Sequence, residues 1–452
     1  MDKKEIVEVH DYNLNIRRYV DNTPEPEPED VQAHLIGGIP EAEVTARAAH
    51  FARFGLQADT LFERERPGYL PFRKPIETKQ TIKITLEADP ALRQTLAVHH
   101  DTLEAWWAVA RDDFAGLCDG KKMPEVRHEL LTTLKDKLIP LSVLDEFKSA
   151  GVFVNWWQQI RYDLKTIIST GWHHALIPDE YLIAEYFQTE ADEIEMLETQ
   201  ISEYVSELTE AVETAQEVAA CEPEEDETVT AVVIKKILKD LIDDLKGSTG
   251  DKVNSATGGR DSALWQSARK ELENLQAQEE TITDIEKRIK DSKAALKTKT
   301  DELTLKLQLK RLGGDEFKAE SQELIRQVDA RLADLDNDNK DSKGNKKKMV
   351  ALNKDRAALE ARLARTDSIL AVIGGQLTEE DARRLILKKL YDLAHNELNR
   401  YLNTEKRGLI AVVENLWDKY AVSSRELEQE RAETLKELDG FLIGLGYLEG
   451  VS

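Results

Sequence analysis

The chain has 452 residues, of which 41% are hydrophobic and 33% charged, with a formal net charge of −25. That apolar share is enough to bury a core, and the length fits about two to four domains. The acidity excludes a protein that grips phosphate through an overall basic surface, so if DNA is a partner this chain sits behind the contact.

Residues 1–30 are polar and end in TPEPEPED, where alternating prolines block helix and favour an extended linker. Pro40 precedes EAEVTARAAHFARFGL, in which Val44, Ala48, Phe51 and Phe54 recur near a helical period. RPGYL at 66–70 is a turn signal, and TIKITL at 81–86 alternates as a short strand does. Residues 90–187 read as aromatic-rich and mostly helical. Trp106, Trp107, Trp156, Trp157 and Trp172 fall there, and with no basic residues interleaved around the first pair they point to a packed core.

Beyond residue 188 the composition changes. Ile194, Leu197, Ile201, Val205 and Leu208 recur at steps of three and four with acidic flanks, an amphipathic seam. CEPEEDETVT at 221–230 breaks it. Helical patterns follow at 231–245, 263–312 (closed by Gly313–Gly314), 316–335 and 349–373, separated by a glycine-bearing loop at 247–262 and a polar loop at 336–348. Thr378 opens a long helix with Asp381 three residues on, an approximate capping box. A last helix at about 424–444 carries Leu427, Leu435, Leu438, Leu442 and Leu445 on one side. The expected fold is therefore mainly α: a helical domain with at most a minor strand element, then long antiparallel helical hairpins or coiled coil. The expected division is 1–30 (junction and linker), 31–187 (aromatic-rich domain), 188–375 (charged hairpins) and 376–452 (C-terminal docking region).

Catalytic and metal signals are absent from this pattern. No G-x-G follows a strand pattern, GSTGDKV at 247–253 fails the P-loop spacing, and no Pro-Pro dipeptide occurs. DLDNDNKDSKGN at 334–345 fails as a calcium loop because Asn339 and Asn345 stand where Gly and Glu are needed. His99–His100 and His173–His174 are adjacent pairs, and neighbours on a helix do not share a face. The two cysteines, Cys118 and Cys221, give neither a disulfide framework nor a metal spacing, which fits a reducing cytosol. No apolar run reaches the roughly 18 residues of a membrane span, and MDKKEIVEVHDYN has no signal-peptide core. A cytoplasmic protein is expected.

Three separated blocks carry a resemblance to the modification (M) subunit of type I restriction enzymes, a family of adenine-N6 DNA methyltransferases. The first, at about 5–95, contains DYNLNIRRYVD, the Pro/Glu linker, AHLIGGIPEAEV and the RPGY turn. The second, at about 138–192, runs from LIPLSVLDEF through WWQQI to GWHHALIPDEYLIAEYFQTEAD. The third, at about 376–448, runs from QLTEEDARRLILKKLYDLAHNELNRYLN through LIAVVENLWDKYAVSSRELEQE to a terminal amphipathic helix. Order and spacing together make the match specific, and it covers roughly half of the chain. Residues 200–370 match only as helical, charge-rich sequence. The family usually has Pro where Arg17 stands.

In that family the first block lies just downstream of the catalytic domain. The resemblance thus implies that the methylase core is missing from these residues, through a split gene, a truncated remnant or an expressed fragment. It implies no S-adenosylmethionine site and no catalytic residue in this chain. The methyl donor is expected on the missing part, whose (D/N)PP(F/Y/W) loop would hold the flipped adenine. The implied partners are the specificity (S) subunit, the catalytic methylase half and a restriction subunit, with DNA reached only through the assembly and no membrane. Leu435, Leu438, Leu442 and Leu445 are the candidate docking residues. Their stripe either packs on the chain's own helix 379–420, against Leu390, Leu393 and Leu398, or forms with that helix a face for the S subunit. The other reading is an unrelated acidic helical scaffold or adaptor.

Overall fold

The computed structural model describes residues 30–74, 76–118, 122–220, 230–249, 263–337 and 343–445. Among them the chain is mainly α-helical, with one two-stranded antiparallel sheet. DYNLNIRRYVD with Arg17, most of the Pro/Glu linker, residues 221–229 with Cys221, residues 250–262 of the expected glycine-bearing loop and residues 338–342 of the expected polar loop lie outside the described residues. The calcium-like segment falls partly there too. Two compact units form: residues 1–168 with 390–452, and residues 169–389. The C-terminal segment thus belongs to the same unit as the N-terminal one.

In the first unit, α1 (Val31–Ile36), α2 (Glu41–Ala46) and α3 (Ala48–Arg53) surround a small sheet in which β1 (Ile39–Pro40) pairs with β2 (Tyr69–Leu70). The minor strand element therefore flanks the RPGY turn, and the strand expected at 81–86 is a helix, α4 (Lys79–Ala88). The reason is local and tertiary at once. Thr78 and Thr81 form a capping box, and Ile82 and Leu86, one turn apart, are both buried while Ile84 faces out.

α5 (Pro90–Cys118), α6 (Met123–Leu138) and α7 (Glu146–Thr170) build the aromatic core. Trp156 stands edge-on to Trp106 at 5.7 Å and to Phe153 at 5.5 Å, geometry in which each ring pair adds about 0.5–1.5 kcal/mol beyond area burial. Buried indoles need partners for their N–H groups. Trp106 donates to Thr133 Oγ1 at 3.0 Å, and Trp156 donates to the Leu390 carbonyl at 2.8 Å. The second bond ties α7 to α13 (Glu379–Tyr420), whose Leu390 and Leu398 are fully buried. Trp172 is no member of this core. It belongs to the other unit, half-buried, with the Arg383 guanidinium 5.7 Å from its ring.

The second unit holds α8 (Asp179–Tyr186), α9 (Gln188–Val218), α10 (Ala231–Thr249), α11 (Ala263–Asn337) and α12 (Lys343–Val372). Val212, Ala215, Ile234, Leu238, Leu275 and Ile282 of α9, α10 and α11 form one core. Toward the start of α9 the expected seam is half-buried, except that Val205 is exposed. Tyr204 lies beneath the Arg288 guanidinium, 4.0 Å from its ring. Charge pairs join α9 to α11 on the flanks: Lys306–Glu190 at 2.9 Å, Lys299–Glu193 at 2.6 Å and Arg288–Glu207 at 3.1 Å. α11 breaks at Gly313, whose φ of 75° is left-handed. Beside the break, Lys310 is buried over the Tyr186 ring at 4.3 Å and donates to the carbonyls of Ile373 and Gly375 at the end of α12. Burial holds its amine below the usual lysine range. Thr378 caps α13, accepting from the Asp381 amide at 3.1 Å.

Candidate docking surface

The candidate site is built on α14 (Ser424–Gly444) and starts from its root. Ser423 caps the helix. Its Oγ accepts from the Glu426 amide at 3.2 Å, and the Glu426 carboxylate accepts from the Ser423 amide at 2.8 Å. This reciprocal box satisfies two donors that a helix start leaves orphaned.

The capping serine is buried against the first segment of the unit. Gly37, with φ of 95°, ends α1, and a Cβ there would sit 3.4 Å from the Ser423 Cβ. The positive φ is what calls for glycine here, since a Cβ would meet the serine only at ordinary contact distance. Asp30 caps the other end of α1, accepting from the amides of Gln32 and Ala33 at 2.8 and 3.1 Å. The Ala33 amide is the largest influence holding its carboxyl below the usual aspartate range, and the Tyr69 hydroxyl, 2.9 Å away, adds to it. Arg66 reaches the Gly37 carbonyl at 2.6 Å and covers the Tyr69 ring at 3.7 Å.

Below the cap lies a buried polar network. Glu43 of α2 accepts from the Tyr420 hydroxyl at the end of α13 and pairs with Arg47 at 3.0 Å, with Lys419 3.5 Å away. His34 stacks on the Tyr420 ring at 5.1 Å. Burial, then the Glu43 carboxylate, push the Tyr420 phenol well above the usual tyrosine range. Every partner in this network is needed, because a buried carboxylate without donors costs several kcal/mol.

From this anchored root α14 runs on with little burial among the described residues, beside α1. Each side chain from 424 to 441 is exposed. Leu435, Leu438 and Leu445 are exposed at 48%, 50% and 71%, and Leu442 is half-buried. Helical steps of three and four bring these four leucines to one side of α14. Among the described residues they are not buried against α13, whose Leu390 and Leu398 are turned into the tryptophan core. Phe441 and Ile443 widen the exposed apolar surface, and Val31, Leu35 and Ile36 expose more on α1, which packs beside α14. The α1 residues escaped notice in the sequence, although Val31 and Leu35 are four apart and share a helix side.

This surface can bury apolar area against another helix. Among the described residues no group of three or more His, Cys, Asp or Glu is placed to hold a metal ion, and no helix is long and apolar enough to cross a membrane. Beside the root, a cleft of about 400 Å3 has Val44, Phe62 and Leu70 in its wall, and the Glu41–Arg64 pair (3.1 Å) at its rim. Compared with known proteins, the chain matches no family model, no curated protein and no solved structure.

Proposed function

We propose that this chain is the non-catalytic, helical C-terminal part of a type I restriction-modification M subunit, and that α14 docks it onto the specificity subunit of an adenine-N6 DNA methyltransferase. The methyl donor and the flipped adenine would be held by a companion catalytic part. One observation carries the reading. Residues of the first resembling block (His34, Gly37, Glu43) and of the last (Tyr420, Ser423) meet in one buried cluster. That cluster anchors a helix whose Leu435, Leu438 and Leu445 stay exposed among the described residues. A 21-residue capped helix held out in water with Leu435, Leu438, Phe441 and Leu445 uncovered is suited to a second helix from another chain.

The second reading, an acidic helical scaffold, is favoured by α9, which carries ten acidic and no basic residues. Co-expression decides between them. The full chain is expressed with a catalytic M-type half and an S subunit and purified through a tag on the S subunit. The expected result is a ternary complex that Leu438→Asp and Leu445→Asp abolish, while the variants alone keep the native circular dichroism. Failure of the native chain to co-purify sinks the assignment. A native complex that both variants also form sinks the role of α14 alone.

A further inference from the structure

Charge is unevenly placed in the second unit. α12 carries eight Lys or Arg against three Asp or Glu, within a chain of net charge −25. Six of its residues, Lys347, Ala351, Lys354, Ala358, Ala361 and Arg365, recur at steps of four and three and are all exposed, so they form one line along the outside of the helix. At 1.5 Å per residue the line is about 27 Å long from Lys347 to Arg365. Among the described residues no ion pair holds Lys347, Lys354 or Arg365. The neighbouring Arg356 is engaged, by Asp329 at 2.9 Å and Glu360 at 3.4 Å. The fold uses another side of α12, where Ile369 is buried against Leu305, Leu309 and Phe317. The three cations are therefore not needed for packing.

A row of free cations fits a polyanion, and two classes exist, an acidic protein and a nucleic acid. Protein interfaces centre on aromatic or large aliphatic anchors. This line has alanines between its cations, and Val350 beside it is a small apolar area. Phosphate recognition needs no such anchor. It needs cations that displace condensed counterions, and small residues between them let a backbone come close. A duplex carries one charge per about 1.7 Å of axis, so about 27 Å of it offers many more phosphates than the three cations require. We propose that the outer line of α12 is a contact surface for the phosphate backbone of duplex nucleic acid, with Lys347, Lys354 and Arg365 as the phosphate-binding groups. This local line departs from the expectation, drawn from net charge, that the chain sits behind any DNA contact; the overall acidity still keeps the contact weak, so it orients a duplex already held nearby instead of recruiting one. The inference stands independently of what docks on α14.

The test is fluorescence anisotropy of a labelled 20-base-pair duplex DNA with the full chain. Binding is expected at 50 mM salt, falling roughly 40-fold by 200 mM, as about three displaced phosphate contacts predict. The triple variant Lys347→Glu, Lys354→Glu, Arg365→Glu should lose at least about tenfold at 50 mM, and Lys347→Gln, Lys354→Gln, Arg365→Gln a smaller but clear part of that, since each removes the counterion-release contribution. A control that changes net charge equally, Lys83→Glu, Arg111→Glu, Arg127→Glu, should bind within about threefold of native, because the lost contacts and not the global charge set the affinity. Four results overturn the proposal: no binding by the native chain at 50 mM, glutamine variants indistinguishable from native, a control loss as large as that of the triple, or polyglutamate competing as well as DNA. The last would point to an acidic protein.

Discussion

The Tyr420 hydroxyl donates to the Glu43 carboxylate, joining the last residue of α13 to the second helix of the unit inside a buried cluster. Ser423, the cap of α14, follows three residues later. Tyr420→Phe leaves Glu43 with Arg47 but removes a buried donor. It should cost about 1–3 kcal/mol, read as a lower urea midpoint with an unchanged slope. In the native chain, one tyrosine should resist ionisation to higher pH than the rest in an ultraviolet titration, and Tyr420→Phe should remove that late step. A titration identical in the two proteins would contradict the buried bond.

Leucines on two successive helices predict opposite outcomes. Leu390 is fully buried under Trp156, so Leu390→Ala should cost about 2–5 kcal/mol through a lost transfer energy and a cavity. Leu438 is half exposed, so Leu438→Ala should change stability by no more than about 0.5 kcal/mol. Thermal melting of the isolated chain ranks the two. A Leu438 variant as damaged as the Leu390 variant would mean that α14 folds back onto the unit.

His99 is buried with its Nδ1 2.7 Å from the Thr95 carbonyl, and the His100 ring lies 4.7 Å from that of His395. Burial holds both His99 and His100 below the ordinary histidine range, and His395 adds to the effect at His100. The unfolded chain therefore takes up protons below about pH 6.5 that the folded chain resists. Stability is full above that pH and falls as pH drops through it toward the depressed folded values. His100→Gln should lose less melting temperature between pH 7.5 and 5.5 than the native protein does. An equal loss would remove His100 from the explanation.

Gly313 and Gly408 predict opposite signs for the same change. At Gly313, φ is 75° and a Cβ would lie 2.6 Å from the Gln376 Oε1, so Gly313→Ala should destabilise by about 1–3 kcal/mol. Gly408 sits inside α13 with nothing within 4 Å of a Cβ, so Gly408→Ala should stabilise by about 0.4–1 kcal/mol. Differential scanning calorimetry of both variants checks the signs. A stabilising Gly313→Ala would show that the break in α11 is not fixed by that residue.

Periodicity and caps in the sequence were enough to determine the helical class, the long helix opened by Thr378, the helix after Ser423 and the break at Gly313–Gly314. Each is written in residues within a few positions of one another. The tryptophan core was legible for Trp106, Trp107, Trp156 and Trp157, because large aromatics without interleaved cations are core material. What the sequence could not decide were choices between equal local options. TIKITL alternates as a strand and also places Ile82 and Leu86 one helical turn apart, and only burial of that pair selects the helix. The α13 leucines offered α14 a partner, but the same leucines complete the core that Trp156 closes through Leu390. That long-range pairing joins residues 234 positions apart, and no local pattern encodes it. The outer line of α12 was visible only as a lysine-rich run, since periodicity shows which residues share a helix side, while packing decides which side meets water.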